Sequence, residues 1–325
     1  MPATKQLSDE SRLSMYEKMI EIRKFEYKAI ELYRSKLIAG YVHPSIGQEA
    51  VAVGTAFALE PGDYIATSHR GHGHCLAKGC QPDRMFAELL GRETGYCRGL
   101  GGSMHIFDLG LGILGANGIV AAGLPIAVGA ALAIRTRASS EVVVVFFGEG
   151  ASGNGAFHEA MNFASVRKLP VVFLCENNLY AISTHMRDAS PVQRVIDRAP
   201  AYGMPGFTVD GNRVEEVYHV VAEAVARART GDGPSLVEAW TYKLLGHSVL
   251  DPGWYRPKEE VEYWTGREPI KLYREELERS GLLDAERTEE IEAELERRIA
   301  EAVRFAEQSP KMDAASFFAD FVTDA

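Results

Sequence analysis

The segment from Glu141 to Asn178 constrains the fold most. Glu141-Val-Val-Val-Val-Phe-Phe147 is an apolar run, the pattern of a strand covered on both faces. Gly148-Glu-Gly-Ala-Ser-Gly-Asn-Gly155 follows as a glycine-rich turn, residues 156–168 read as a helix, and Leu169-Pro-Val-Val-Phe-Leu-Cys-Glu176 is a second buried strand. A strand–turn–helix–strand unit of this kind implies parallel strands joined by a right-handed crossover. A further strand, helix and strand follow at 206–210, 213–229 and 235–242. This alternation predicts an α/β fold: three α/β/α layers around one doubly wound, mainly parallel sheet.

The rest of the chain dresses that sheet. Residues 10–39 read as an amphipathic helix stopped by Gly40, and residues 47–58 as a small-residue helix. Residues 64–68 make a short strand, followed by a glycine- and histidine-rich loop, Ser68-His-Arg-Gly-His-Gly-His-Cys75, and a short helix at 82–90. Residues 91–118 are glycine-rich, with little periodicity, and read as a long irregular segment of functional type. Residues 119–134 read as a buried core helix. At the other end, 283–308 is a charged helix whose Ile291, Leu295, Ile299 and Val303 form one packing stripe. With no internal repeat or low-complexity linker, residues 1–325 are expected to form one domain, with helices 10–39 and 283–308 packed on it as extensions.

Composition removes several classes of function. A net charge of -10 disfavours a nucleic-acid binder, which needs a positive field. The apolar stretch 119–134 falls short of the roughly 20 residues a spanning helix needs, and Gly123, Pro125 and Gly129 interrupt it, so no membrane association is expected. Cys75, Cys80, Cys97 and Cys175 make neither a disulfide scaffold nor a Cys-x-x-Cys pair. The polar first ten residues carry no apolar leader segment. The expected setting is the cytoplasm.

The turn Gly148-Glu149-Gly150 sits where an α/β sheet receives ligands, beyond a strand's carboxyl end and at a helix N-terminus. Backbone N–H groups and the helix dipole favour an anion there, most often phosphate. A carboxylate in that turn repels a phosphate unless a cation stands between them, so Glu149 argues for Mg²⁺. Glu176-Asn177-Asn178-Leu179-Tyr180, after the next strand, is a second source of oxygen ligands. Taken alone, Gly-x-Gly is equally explained by an ordinary βα turn. The turn is no Walker A loop, since Gly-Lys-Ser/Thr is absent, and the acid at 149 makes it a poor dinucleotide fingerprint. Gly231-Asp232-Gly233 looks similar but follows a helix and precedes Pro234, and reads as a helix-to-strand turn.

Spacing adds specificity. Gly148 and Asn178 are 30 positions apart, ending in Asn-Asn; this resembles the thiamine-diphosphate motif. With Phe157-His-Glu-Ala-Met-Asn162, Lys168-Leu-Pro170 and Cys175-Glu-Asn-Asn178, the region resembles the α subunit of the E1 component of 2-oxo acid and acetoin dehydrogenase complexes. Gly47-Gln-Glu-Ala50, Gly101-Gly-Ser-Met-His105, Gly115-Ala-Asn-Gly-Ile-Val120, Gly246-His-Ser248 and Asp251-Pro-Gly253 extend the resemblance over roughly residues 10 to 310. The loop from Ser68 to Gly79, with Thr94-Gly-Tyr-Cys-Arg98, looks most like acetoin dehydrogenase α subunits.

The resemblance implies a thiamine-diphosphate-binding fold. It implies Mg²⁺ held by Glu149 and Asn178 side chains and the Tyr180 carbonyl. It implies diphosphate received by Arg70 and the N–H groups of Gly150 and Ala151, with His69 beside it, and the aminopyrimidine against Gly118 and Val120. His43, His72 and His247 fall at positions lining the family's active site, and are expected to be catalytic. Ser248 lies in a loop that mitochondrial members phosphorylate. Two departures stand out: Glu149 where the family normally has Asp, and His69 where pyruvate and branched-chain members usually have Tyr. Read without the resemblance, His69, His72, His74, Cys75 and Cys80 fit no usual zinc spacing; a solvated polar loop and an active-site loop remain the readings, the latter supported by histidine's proton chemistry.

The implied reaction is cleavage of acetoin, with the hydroxyethyl/acetyl unit passed to a lipoyl group on an E2 acyltransferase. The implied assembly is an α2β2 heterotetramer with an E1 β subunit that completes the site. Two alternatives remain: a pyruvate or other 2-oxo acid dehydrogenase E1 α subunit, and a non-catalytic scaffold whose metal site is impaired by Glu149.

Overall fold

The computed structural model describes residues 7–313 together with 315, 317 and 318. The first six residues of the polar amino-terminal segment lie outside the described residues. The strands are β1 Tyr64–Ser68, β2 Ile113–Asn117, β3 Val143–Gly148, β4 Val171–Asn177, β5 Tyr180–Ala181, β6 Thr184–His185, β7 Gly206–Asp210 and β8 Ser235–Trp240. Six form one sheet in the order β2-β1-β3-β4-β8-β7, every neighbouring pair parallel. The strands β5 and β6 make a separate antiparallel hairpin. The helices are α1 Asp9–Arg34, α2 Glu49–Phe57, α3 His72–Lys78, α4 Pro82–Leu89, α5 Gly123–Thr136, α6 Gly155–Val166, α7 Met186–Ala189, α8 Val214–Arg229, α9 Lys258–Gly266, α10 Pro269–Arg279 and α11 Ala285–Gln308. Among the described residues no helix is long and apolar enough to cross a membrane.

The alternation of side chains along β3 builds the three expected layers. Val144 and Phe146 face a core shared with α1, α2, α3, α4, α8, α10 and α11; Val143, Val145 and Phe147 face a second core closed by α5 and α6. Both faces are covered, which is why β3 and β4 read as continuous apolar runs. The connection from β1 leads to β2 on one side, and from β2 to β3 on the other. The sheet therefore reverses its strand order between β1 and β3, a switch point that leaves a crevice at the carboxyl edge.

Four expectations need correction. The helix expected over 10–39 ends at Arg34, because Lys36 takes a left-handed conformation (φ 62°) and caps it ahead of Gly40. The loop expected from Ser68 is a turn only to Gly71; His72–Lys78 is helical and closes on Gly79 at φ 117°. Residues 91–118 hold the strand β2, hidden because Gly115 and Ala116 interrupt its apolar pattern. The stretch 119–134 is not a wholly buried helix: helix begins at Gly123, and Ile126, Gly129, Leu132 and Ala133 face outward.

Candidate active site

The carboxyl ends of β1, β2, β3 and β4 open on a cavity of about 320 Å³, within the range of ligand sites. His69, Arg70, Val120, Glu149, Gly150, Ala151, Asn178, Tyr180 and His247 all line it. Gly118 lies on the same loop, between lining residues Asn117 and Ile119. His43 stands behind the wall, its ring 4.8 Å from that of His69 and 5.0 Å from that of His247. His72 is elsewhere: it is buried, with Nδ1 2.9 Å from Glu26 Oε2 and Nε2 2.9 Å from Ser103 Oγ. That geometry makes His72 a tie between α1, α3 and the long loop.

The turn after β3 gives the cavity its acid. Residues Glu149–Gly153 form one short 3₁₀ segment, and Asn154 caps α6 by accepting from Ala156 N. Glu149 is buried, and its Oε2 accepts from Asn178 N at 3.2 Å. Burial raises the Glu149 carboxyl above its ordinary pKa, against the pull of Lys243. The register of β4 against β3 sets Glu176 opposite Gly148, so Asn178 arrives beside Glu149. The two asparagines then divide. Asn177 turns into the core, donating to Glu238 at 2.7 Å. Asn178 donates to Gln48, and its Oδ1 is buried without a hydrogen-bond partner among the described residues. A Cβ on Gly150 would stand 2.6 Å from that of Ala181, so only glycine lets the turn approach the β5–β6 hairpin.

A carboxylate, an orphaned amide oxygen and the Tyr180 carbonyl form the donor set a hard divalent cation takes. The Tyr180 carbonyl accepts from Lys243 Nζ and retains a second lone pair.

The opposite wall is cationic. Arg70 is fully buried, donating to Pro44 O at 2.7 Å and His247 O at 3.0 Å; burial brings its guanidinium down to about 10. Burial and then Arg70 bring the Lys243 ammonium down to about 7. The same two causes lower His43 to about 3, His69 to about 2 and His247 to about 4. All three imidazoles are consequently neutral at neutral pH. His247 is held by its loop: its N donates to Asp251 Oδ2 at 2.6 Å, and Tyr255 donates to the same carboxylate at 2.7 Å. Lys243 escaped the sequence reading, because a single lysine after a buried strand carries no motif.

A buried acid facing a buried arginine across the switch point of a doubly wound sheet puts this chain in the class of α/β proteins with a charged ligand site at the carboxyl edge of the sheet. The family model of the dehydrogenase E1 component matches residues 17–315, and the chain belongs to that family. It is similar to the α subunit of acetoin:2,6-dichlorophenolindophenol oxidoreductase of Bacillus subtilis (strain 168), 47% identical over 94% of this chain and 91% of that one. The protein of the same description in Cupriavidus necator is 42% identical over 94% of this chain and 92% of its own. The pyruvate dehydrogenase E1 component subunit alpha of Rhizobium meliloti is 38% identical over 98% and 91%.

Proposed function

We propose that this chain is the E1 α subunit of an acetoin-cleaving, thiamine-diphosphate-dependent dehydrogenase, a single domain that supplies the diphosphate and metal half of the active site. The observation that carries the reading is the pairing across one cavity of Glu149 and the orphaned Asn178 Oδ1 with Arg70 and Lys243. Glu149, Asn178 Oδ1 and the Tyr180 carbonyl would hold Mg²⁺. Arg70, Lys243 and the N–H groups of Gly150 and Ala151 would take the diphosphate, with His69 beside it, and Gly118 and Val120 would meet the pyrimidine. When bound, thiamine diphosphate supplies the nucleophilic carbon that adds to a carbonyl and the ring that accepts the electrons of the broken C–C bond. His247, which lines the cavity and is neutral at neutral pH, would accept a proton from a substrate hydroxyl; Asp251 holds its backbone N–H, and His43 packs against its ring from behind the wall.

An E1 β subunit would complete the site in an α2β2 heterotetramer, and a lipoyl-bearing E2 would receive the acyl unit. The four cysteines are free thiols, which suits the cytoplasm. The relatives named for acetoin oxidoreductase, 47% and 42% identical, support acetoin as the substrate. The relatives named for pyruvate dehydrogenase support the 2-oxo acid as a second reading. The test is an assay of the αβ complex with Mg²⁺, thiamine diphosphate and dichlorophenolindophenol. Reduction with acetoin and little with pyruvate is expected; the reverse selects the second reading. Calorimetry separates both from a non-catalytic scaffold: Mg-dependent cofactor binding must disappear in Glu149→Ala. Cofactor binding of wild-type strength in Glu149→Ala would overturn the metal assignment.

A further inference from the structure

The sequence clusters His69 with His72, His74, Cys75 and Cys80, but the fold disperses them. His72 is tied to Glu26 and Ser103, and His74 lies between Thr67 at 2.6 Å and Glu176 at 3.2 Å. His69 instead joins two histidines distant in sequence. One nitrogen each of His43, His69 and His247 lies within 4.8 Å of the others, and the rings of His69 and His247 are 5.4 Å apart. We propose that these three imidazoles form a three-nitrogen site for a late first-row divalent ion, Zn²⁺ in particular, in the cofactor-free protein.

Two observations besides proximity support it. His43 Nδ1 and His69 Nε2 are both buried without a hydrogen-bond partner among the described residues, a costly arrangement that a ligated ion relieves. Metal binding needs neutral imidazole, and burial, followed by the positive charge of Arg70, keeps all three rings in that form at neutral pH. Zinc takes imidazole nitrogen at about 2.0–2.1 Å, so modest rotations of the three rings would close the set around an ion. The fourth position would be left to water from the cavity. One cation touches the set directly: an Arg70 N–H donates to His247 Nδ1 at 3.4 Å, which leaves His247 Nε2 for the ion. Arg70 faces Glu176, Glu26 and Glu149, and Lys243 faces Glu149 and Asp251. The site is chemically distinct from the oxygen donors around Glu149: nitrogen suits zinc, and oxygen suits magnesium. Because His69 and His247 also line the cavity, ion and cofactor would compete for it. The proposal rests on the three side chains and stands whether or not the cofactor reading does.

The test uses the full chain stripped of metal with a chelator and titrated with Co²⁺. Expected are one ion per chain, the intense visible bands of four- or five-coordinate cobalt, stoichiometric displacement by Zn²⁺ and indifference to excess Mg²⁺. His43→Gln and His69→Gln should each weaken binding at least about tenfold, while His158→Gln, at the distant Tyr202 contact, should not. In the αβ assembly Zn²⁺ should raise the apparent Kd for thiamine diphosphate. Circular dichroism checks that each variant is folded, and His69→Tyr replaces a variant that is not. A pale six-coordinate spectrum, displacement by Mg²⁺, or unchanged affinity in folded His69 variants would overturn the proposal. Zinc binding without any cofactor binding would sink the function proposed above and leave this inference intact.

Discussion

Single side chains decide the electrical character of the cavity. His43, His69 and His247 each take a proton below about 6.5 in the unfolded chain, but in the fold stay neutral down to about 3, 2 and 4. In that window the unfolded state binds more protons, so stability rises with pH and is lost on acidification. The melting temperature should fall from about pH 7 to about pH 5, and the fall should be shallower in the His43→Gln/His69→Gln double variant. Equal slopes would show that these rings are not held neutral. Gly150→Ala makes a different prediction, since its new methyl meets Ala181 at 2.6 Å. It should cost about 1–3 kcal/mol by thermal melt and weaken cofactor binding, and Ala181→Gly should restore both.

Among the elements, the loop between α4 and β2 shows how irregular backbone is held. Glu88 of α4 accepts hydrogen bonds from the N–H groups of Cys97, Gly99, Gly101 and Gly102. Glu88→Ala strands these four donors and should cost at least about 3 kcal/mol in urea denaturation, with faster hydrogen exchange confined first to 95–102. A loop wound around one carboxylate has no periodicity, which is why it read only as irregular. The strands β3 and β4 were legible at once from their apolar runs, since burial on both faces writes itself into composition; β1, β7 and β8 were read from shorter segments in the strand–helix alternation. Of the site, Glu149 and Asn178 were legible from turn and spacing. The roles expected of Arg70, Gly118 and Val120 came only through the resemblance: one arginine in a polar loop carries no motif, and the backbone contacts expected of Gly118 and Val120 leave no chemical mark in sequence. Lys243 was invisible, and His72 read as a cavity residue though its partners, Glu26 and Ser103, come from distant segments.

For the whole molecule, the mouth of the cavity carries an exposed apolar rim. Ile119 (72%), Val120 (54%) and Ile182 (61%) are exposed at its mouth. Ile182 holds φ 54°, a conformation β-branched residues rarely adopt, so the hairpin presents that side chain at a cost in strain. An apolar rim on a ligand cavity fits a subunit boundary, as the α2β2 proposal requires. The chain alone should turn over no substrate. Mixing with the β subunit should protect 119–120 and 180–184 from hydrogen exchange, and Ile119→Asp should weaken the assembly by at least tenfold in Kd, on the order of 1.4 kcal/mol. Protection elsewhere, with these segments unchanged, would refute this interface.

The contact between Lys243 and the Tyr180 carbonyl bears on how such a half-site endures before it is filled. The same ammonium also acts on the buried Glu149 carboxylate, so part of that acid's charge is already balanced from within the chain. A Mg²⁺ bound as proposed would take the carbonyl's second lone pair and join the lysine rather than displace it. The acid would then be shared between an internal cation and an acquired one.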